Sequence, residues 1–325
     1  MKIEAVRYEN SMKRIWDDAV RTSRNATFLF ERDFMNYHQD RFTDASLLFT
    51  NDKGKVCGLF PANILEDKLR VDSHGGLTYG GLLLTERAES AEVAEMFKAL
   101  VLYYRSLNCL SLKYKPIPHI YHCHPAEEEC YFLFRAGARL QARTLSSAIN
   151  LHNPLPFNNL QLRKYKNAQK RNLQIKETAS LLPEFWNILQ EVLMQRHSVF
   201  PVHSLTEIQN LIVKFPDHIK LYTVIGNTGE VIAGCLLFIT RTTIHAQYIA
   251  ANDPGREFGA LSLLFHYLIE TYSKSGKHSF FDFGISTENE GQTLNRGLVF
   301  QKEGLGGRAV CYDTYILNLD NNPLL

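Results

Sequence analysis

The chain has 325 residues, of which 45% are apolar, and its 36 Lys and Arg residues nearly balance 34 Asp and Glu. This length favours two domains, each able to bury its own core. The near-neutral charge disfavours a generic nucleic-acid binder, which would carry a strongly basic face. The sequence contains no run of 18 apolar residues, so it predicts no membrane-spanning helix. Its six cysteines are scattered and form no CxxC pair, which favours a reducing, cytoplasmic setting.

The first half of the sequence alternates short apolar strands with helices. A helix over residues 11–23 precedes a strand meander that contains a hairpin turn at Gly54 and a turn near Asp67. The last part of this meander is LRVDSHGGLTYGGLLL, residues 69–84. A helix at about 88–106 and a strand in CLSLKYKP complete the pattern.

The second half repeats this order. A hairpin turn at Gly229 joins two strands, a third strand covers residues 243–251, a helix is predicted over 259–274, and the strand HSFFDFG follows. The two hairpin glycines are 229 − 54 = 175 residues apart, and the residues that open the two last strands, Cys109 and His278, are 169 apart. Such similar offsets indicate one α/β unit used twice.

The join between the two copies is predicted in residues 145–162, which are rich in asparagine and proline. The sequence therefore predicts an N-terminal domain over residues 1–150, with a structural or substrate-binding role. A C-terminal domain over residues 151–325 would bind the donor and carry the catalytic residues.

A basic segment opens the second half. Residues 163–176 contain six cationic side chains and no acidic one: Arg163, Lys164, Lys166, Lys170, Arg171 and Lys176. As a helix it would form either a solvated face or an anion-binding patch facing the interdomain cleft. Helices are also predicted at 181–196 and at 204–214, the latter capped by Ser204 with Glu207 three residues on.

Taken together, these segments resemble the GNAT superfamily, and within it the tandem FemAB-like branch of peptidyl and aminoacyl transferases. The resemblance spans essentially the whole chain. It rests on the repeated meander, helix and strand, and on SHGGLTYGGL at 73–82, AGCLLF and IHAQYIAAN within 233–252, and FDFGISTENEGQTLNRGLVFQKEGLGGR at 281–308. It implies an α/β (α+β) fold of two tandem GNAT-like domains, each a mixed, mostly antiparallel sheet flanked by helices. It also implies transfer of an acyl or aminoacyl group onto an amine.

The family's pyrophosphate motif is Arg or Gln, two residues, Gly, one residue, then Gly or Ala. The matching turn begins at Arg256 and reads REFGAL, so Leu261 stands at the final small position. The turn and helix start would offer free N–H groups to phosphates. Acetyl-CoA or another acyl-CoA is therefore expected at Gly255, Arg256, Gly259 and Ala260, with an ordinary βα turn as the alternative.

Three residues are candidates for removing the proton from an amine acceptor. His245 is the best general-base candidate because an unperturbed imidazole titrates near pH ~6.5, although a structural hydrogen bond is the alternative. Asp282 lies among apolar neighbours, so its carboxylate needs a partner, which leaves a structural pair or a proton-handling role. Glu288 follows on the side where an amine would enter. Strand alternation predicts Gln247 on the face of His245 and Tyr248 on the opposite face.

Other polar residues are candidates for substrate binding. Gln247 would orient the substrate, and Asn295 would lie near the amine. Lys302 and Arg308 would bind an anionic donor or acceptor unless they are solvated at the surface. In the first half, four glycines between Asp72 and Gly81 would let the backbone approach a ligand beside His74 and Tyr79, or would form a bulged edge strand.

No metal site is predicted. The sequence His122-Cys123-His124 with Cys130 lacks a second pair of ligands, and HExxH, Walker and GxSxG motifs are absent.

The sequence thus predicts a cytoplasmic N-acyltransferase of the EC 2.3 class that works without metal. It would move an acyl group from an acyl-CoA to a small-molecule or peptide-like amine in the interdomain groove. One alternative is an aminoacyl-tRNA-dependent FemAB-like transferase for cell-wall or peptide-like acceptors, with tRNA on residues 163–176. Another is a non-catalytic GNAT-fold binding protein, which Leu261 favours. The acyl group, the acceptor and the oligomeric state do not follow from the sequence.

Overall fold

The computed structural model describes residues 2–65 and 69–320, so the turn predicted near Asp67 lies outside the described residues. The strands are β1 (Ile3–Arg7), β2 (Thr43–Asp44), β3 (Leu47–Asn51), β4 (Val56–Phe60), β5 (Asn63–Ile64), β6 (Arg70–Asp72), β7 (Leu83–Leu84), β8 (Ser111–Tyr114), β9 (Arg139–Asn150), β10 (Gln174–Glu177), β11 (Ile219–Ile225), β12 (Val231–Ile239), β13 (Thr243–Ala251), β14 (Phe280–Ile285), β15 (Thr287–Glu288), β16 (Thr293–Leu294) and β17 (Arg308–Asn318). The α-helices are α1 (Lys13–Thr22), α2 (Arg32–Met35), α3 (Ser90–Ser106), α4 (Glu128–Arg135), α5 (Asn159–Gln169), α6 (Leu182–His197), α7 (Leu205–Lys214), α8 (Asp253–Phe258), α9 (Ala260–Ser275) and α10 (Arg296–Gly304).

The described residues form two compact units. Unit 1 comprises the described parts of Met1–Thr144, Thr287–Thr293 and Cys311–Leu325, and unit 2 comprises Leu145–Ser286 and Leu294–Val310. No helix in the described part of the chain is long and apolar enough to span a membrane.

Unit 1 contains an antiparallel sheet in the order β1-β3-β4-β7. A second set of strands follows the order β17-β8-β6-β5-β2, in which β6 and β8 are parallel. The predicted helix at 88–106 is confirmed as α3. Its buried side chains recur every three or four residues, which places one apolar face in the core of this unit.

The segment 73–82 of unit 1 differs from the predicted strand. Only β6 and β7 flank it, and no strand covers residues 73–82. A Cβ at Gly80 would lie 2.1 Å from the carbonyl oxygen of Ser73, and Gly81 has a φ of +109°. The bulged edge strand is therefore wrong, and protein backbone rather than a ligand occupies the space beside Gly80.

Unit 2 is built on a sheet in the order β10-β11-β12-β13-β14-β9. Its strands are antiparallel except for β13 and β14, which are parallel and are joined through α8 and α9. The apolar face of α9 covers one side of this sheet, where Phe265 packs edge-on against Phe281 and Phe283. Burying each such ring contributes about 2–3 kcal/mol.

The predicted repeat is visible in both units. Hairpins turn at Gly54 and Gly229, with φ values of +71° and +92°. In each unit a long helix then leads to a strand that pairs in parallel, β8 with β6 and β14 with β13. This mixed α/β arrangement, used twice, confirms the predicted fold class.

Local chemistry explains where one helix of unit 2 begins. Ser204 caps α7 by accepting a hydrogen bond from the Glu207 N–H, and the Glu207 carboxylate accepts one from the Ser204 N–H, so this predicted cap is confirmed. The basic segment is helical only as far as Gln169 in α5, and its remainder leads into β10.

Candidate active site

The candidate site of unit 2 begins where two neighbouring strands separate. β13 and β14 pair at only three positions, of which His245 opposite Asp282 is the last. Beyond it β13 continues along β12 to Ala251, whereas β14 runs on to Ile285 without pairing to β13. The separation leaves a length of β13 edge that the sheet does not cover.

β13 also carries a bulge just past His245. The register against β12 shifts so that Ala246 lies opposite Leu237 and Tyr248 lies opposite Leu236, which makes Gln247 the extra residue. Because one inserted residue reverses the alternation of faces, Tyr248 shares the face of His245. The predicted placement of Tyr248 on the face opposite His245 is therefore wrong.

His245 and Asp282 form a hydrogen-bonded pair. His245 Nδ1 lies 2.8 Å from Asp282 Oδ2, and the Asp282 side chain is fully buried. The other carboxylate oxygen accepts hydrogen bonds from the Ser146 hydroxyl and, at 3.0 Å, from the Gly284 N–H. These donors supply the partners that a desolvated carboxylate requires.

The pairing determines what the imidazole can do. A carboxylate that accepts from Nδ1–H leaves the lone pair on Nε2, so this nitrogen is the one able to take a proton. The ring lies over Gly284, whose φ is +75° and where a Cβ would stand 3.4 Å from His245 Cε1. The His245 side chain keeps about 15% of its surface exposed, enough for a small group to reach it.

Lys302 on α10 supplies a buried cation beside this pair. Its Nζ donates to the carbonyl oxygens of Gly284 at 2.7 Å and Ile285 at 2.9 Å. Burial lowers the pKa of Lys302 to about 8, and the attraction of Asp282 opposes that shift. The surface alternative for Lys302 is therefore wrong, and its ammonium group is charged in most molecules at neutral pH.

A cavity of about 400 Å³ lies where the strands separate. Ile249, Ala250 and Ala251 of β13 line it, as does Phe283 of β14. The described residues that line it include four cations and no acidic side chain. The cations are Lys164 of α5, Arg196 of α6, Arg256 of α8 and Lys302 of α10. Such a lining favours an anionic ligand with an apolar portion.

The turn that was expected to hold phosphates also borders the cavity. Asn252 caps α8 by accepting from the Gly255 N–H at 2.9 Å, and its carbonyl accepts from the Arg256 N–H. The prediction of free amides is thus wrong at these two residues. At the start of α9, Ser262 and Leu263 bond to the carbonyl of Gly259, so the two amides before them, those of Ala260 and Leu261, lack intrahelical acceptors.

Arg256, Gly259 and Leu261 of this turn all line the cavity. The Arg256 guanidinium donates to the Ala251 carbonyl at 2.6 Å and pairs with Asp253. Gly259 has a φ of +80°, and a Cβ there would approach the Lys164 carbonyl oxygen to 2.5 Å. Leu261 is half-buried and borders the cavity without closing it. The cationic lining and the helix start fit a phosphate-bearing thioester donor.

The structure shows where three other predicted site residues lie. The Asn295 side chain caps α10 by accepting from the Leu298 N–H at 3.0 Å. Arg308 is exposed and donates to the Gly307 carbonyl. Glu288 is exposed in β15, which belongs to unit 1, whereas His245 and Asp282 belong to unit 2. The roles of Asn295, Arg308 and Glu288 stay predictions.

The two candidates from the first half lie in unit 1. His74 is buried with a φ of +50° and borders a separate cavity of about 370 Å³. Tyr79 is buried, and its hydroxyl lies 3.4 Å from Thr27 Oγ1. Their proposed contact with substrate stays a prediction.

No cluster of three or more His, Cys, Asp or Glu residues suited to a metal ion occurs within residues 2–65 and 69–320. In the triplet that was considered for zinc, His122 Nε2 instead lies 2.9 Å from the Ile117 carbonyl oxygen.

Residues 159–290 match the family model described as an acetyltransferase (GNAT) domain. A comparison of the sequence with curated proteins found no match. Among solved structures, FemX is 10% identical with a TM-score of 0.69, each chain being covered to 97%. L-PGS from Bacillus licheniformis is 11% identical with a TM-score of 0.59, covering 96% of this chain and 92% of that one. A tandem GNAT protein from the clavulanic acid biosynthesis pathway is 11% identical with a TM-score of 0.50, covering 99% and 100%.

The matched residues include β13, β14 and the His245–Asp282 pair, so the candidate site lies in the part of the chain that is similar to a GNAT acetyltransferase domain. The chain as a whole has a tandem GNAT fold like that of FemX, which confirms the predicted FemAB-like resemblance.

Proposed function

We propose that unit 2 is an N-acyltransferase that moves an acyl group from an acyl-CoA thioester to an amine. The observation that carries this proposal is the cavity between the separating strands, with His245 and Asp282 at the last paired position before it. A donor lying in this cavity would present its carbonyl carbon beside His245. The uncovered edge of β13 would hydrogen-bond the donor along its length.

The charge of the lining supports a CoA donor. Lys164 and Arg196 are exposed and border the cavity, where they would attract the phosphates. The amides of Ala260 and Leu261 would add the positive end of the α9 dipole. The apolar side chains of Phe265, Phe283 and Leu298 would enclose the uncharged arm of the donor.

The side chains of the site suit the transfer step. The thioester supplies an activated carbonyl, which the nitrogen attacks so that a C–N bond forms and the C–S bond breaks. His245 Nε2 would take the proton lost by the amine, while Asp282 holds the Nδ1–H tautomer and stabilises the charged ring. The Lys302 ammonium would stabilise negative charge developing on the carbonyl oxygen, and the leaving thiolate would take up the proton that His245 Nε2 accepted from the amine, either directly or through solvent.

Binding and turnover can be tested separately. Calorimetric titration with acetyl-CoA should give a dissociation constant in the micromolar range, and thiol release should be measured with glucosamine, lysine methyl ester, glycylglycine and octylamine as acceptors. His245→Gln should bind acetyl-CoA as the wild type does but should release little thiol. If no acyl-CoA produced either binding heat or a thermal shift, the proposal would be overturned.

A second candidate, an aminoacyl-tRNA-dependent transferase, is supported by the segment 163–176. Arg163, Lys164, Lys166, Lys170 and Lys176 are exposed, and within the described part of the chain no carboxylate pairs with any of them. A segment whose positive charges are not neutralised by carboxylates would bind a nucleic-acid backbone. Lys170→Glu with Arg171→Glu should then abolish tRNA retention, whereas Arg241→Glu with Lys277→Glu, two exposed cations of unit 2, should not. Equal retention by both pairs would remove this candidate.

The lining of the cavity ranks the two donors. An aminoacyl ester carries an ammonium group next to its carbonyl, and the four cations of the lining would repel it. An acyl-CoA carries no positive charge there. The acyl-CoA donor is therefore the first choice. A purely non-catalytic binding protein is disfavoured because the cavity reaches the 255–261 turn instead of being filled by side chains.

A further inference from the structure

The Tyr248 hydroxyl joins the bulged strand to the connection between α6 and α7. It lies 2.7 Å from His203 Nδ1 and 3.3 Å from the His203 backbone nitrogen. Both contacts are satisfied when the phenol donates to Nδ1 and accepts from the backbone N–H. The side chain of Gln247, the bulge residue, approaches the same hydroxyl.

The Tyr248 ring is held as firmly as its hydroxyl. It packs edge-on against Trp186 of α6 with the ring centroids 5.2 Å apart, and His203 is buried against Phe238 of β12. Burial raises the pKa of Tyr248, so the phenol keeps its proton at neutral pH. The two residues therefore form a fixed link from α6 and the α6–α7 connection to β13.

The position of this link gives it a consequence for the site. Tyr248 directly follows the bulge, and beyond it β13 forms the wall of the cavity through Ile249, Ala250 and Ala251. Any shift of the bulge would move that wall relative to His245, which lies on the other side of the bulge, two residues before Gln247. Displacements of about 1 Å at a reacting centre can lower a rate by about 100-fold.

We propose that Tyr248 and His203 are positioning residues, which hold the bulged stretch of β13 so that a bound donor presents its carbonyl correctly to His245. This inference rests on the proposed function and deepens it. Neither residue needs to touch the substrate: both act through the strand.

Kinetics of matched variants test the link. Tyr248→Phe keeps the ring against Trp186 and removes only the hydroxyl. In assays with acetyl-CoA and the four amines named above, its kcat should be lower than that of the wild type by about tenfold or more. Its affinity for acetyl-CoA should stay within about threefold of the wild-type value. His203→Leu should lower kcat in the same way and leave acetyl-CoA affinity similarly unchanged. His203→Asn, whose Oδ1 can accept from the phenol near the place of Nδ1, should recover most of the rate. Tyr267→Phe, on the exposed side of α9, is the matched control and should match the wild type.

Hydrogen exchange supplies a readout that needs no turnover. Amides of residues 246–251 should exchange about tenfold faster in Tyr248→Phe and in His203→Leu, and at the wild-type rate in His203→Asn and Tyr267→Phe. A wild-type kcat for Tyr248→Phe, or equal losses in His203→Asn and His203→Leu, would overturn the positioning role. Unchanged exchange in Tyr248→Phe and His203→Leu would overturn it even if the wild type proved inactive. Full activity in His245→Gln would instead contradict the proposed function.

Discussion

His245 Nδ1 and Asp282 Oδ2 lie 2.8 Å apart across the last paired position of two parallel strands. The carboxylate is fully buried, and its second oxygen is taken up by Ser146 and Gly284, so its orientation is determined from three directions. This places the imidazole of His245 at the point where β13 and β14 begin to separate. The cavity lies at the same separation, so the proposed proton acceptor and the proposed donor site share one feature of the sheet.

Removing either member of this pair should slow transfer without unfolding the domain. His245→Gln should lower kcat by about 100-fold or more, since general-base catalysis is worth about 10²–10⁴. Asp282→Asn should lower kcat by a similar factor because an amide at this position can hold the His245 imidazole in the wrong tautomer. Thiol release measures both. His152→Gln, an exposed histidine of unit 2, is the control and should be unaffected; equal activity of all three variants would exclude the pair from catalysis.

The rate of acyl transfer should fall as the pH rises through about 8. Burial lowers the pKa of Lys302 to about 8, so above that pH the ammonium that would stabilise the oxyanion is lost. In Lys302→Met the rate should be low throughout, and this alkaline fall should be absent. The measurement is the pH profile of kcat between pH 6 and pH ~10. A wild-type profile in Lys302→Met would show that the ammonium takes no part.

Leu261 should limit donor affinity. It stands at the position where the pyrophosphate motif has a small residue, and it borders the cavity beside the amides at the start of α9. Leu261→Ala should bind acetyl-CoA several-fold more tightly because the phosphates approach those amides more closely. Leu263→Ala, two residues further along α9 and also half-buried, should not change the affinity. Weaker calorimetric binding in Leu261→Ala would mean that this side chain contacts the donor favourably instead.

A buried acid should make the stability of unit 1 depend on pH. Burial raises the pKa of Glu129 to about 8 from its ordinary 4.5, although the Tyr114 hydroxyl and the Leu82 and Ile117 amides oppose the shift. Between these values the folded state holds a proton that the unfolded state has lost. Stability from this group is therefore complete below pH 4.5 and is lost as the pH rises through about 8.

Glu129→Gln should remove this dependence, since the amide cannot ionise. Its thermal midpoint should exceed that of the wild type at pH ~8 and approach it at pH ~5, and exposed Glu127→Gln should follow the wild type at both values. A parallel pH dependence in Glu129→Gln and the wild type would contradict the shift.

The sequence predicts those parts of the fold that local chemistry controls. Gly54 and Gly229 adopt the positive φ of hairpin turns, and the capping box of Ser204 and Glu207 starts α7 where expected. The sequence identifies His245 and Asp282 each as a titratable group in a strand. It does not reveal their pairing, because the register of two parallel strands joined through α8 and α9 is decided by packing far along the chain.

Other features of the site depend on tertiary structure. The bulge at Gln247 adds one residue that no alternation pattern reveals, and it reverses the predicted face of Tyr248. Ser146 comes from β9, more than a hundred residues before Asp282, and its sequence surroundings carry no signal for a polar contact. Lys302 looks like a surface lysine on an amphipathic helix until its carbonyl partners are seen. For His203 the sequence contains one indication, because this residue directly precedes the predicted cap of α7.

Calorimetric titration with acetyl-CoA tests the central claim most directly when the wild type is compared with Leu298→Trp, a variant that fills the cavity from α10. The account predicts micromolar binding to the wild type and at least tenfold weaker binding to Leu298→Trp at an unchanged thermal midpoint. Binding of equal strength by both proteins, or none by the wild type, would contradict a donor site between β13 and β14.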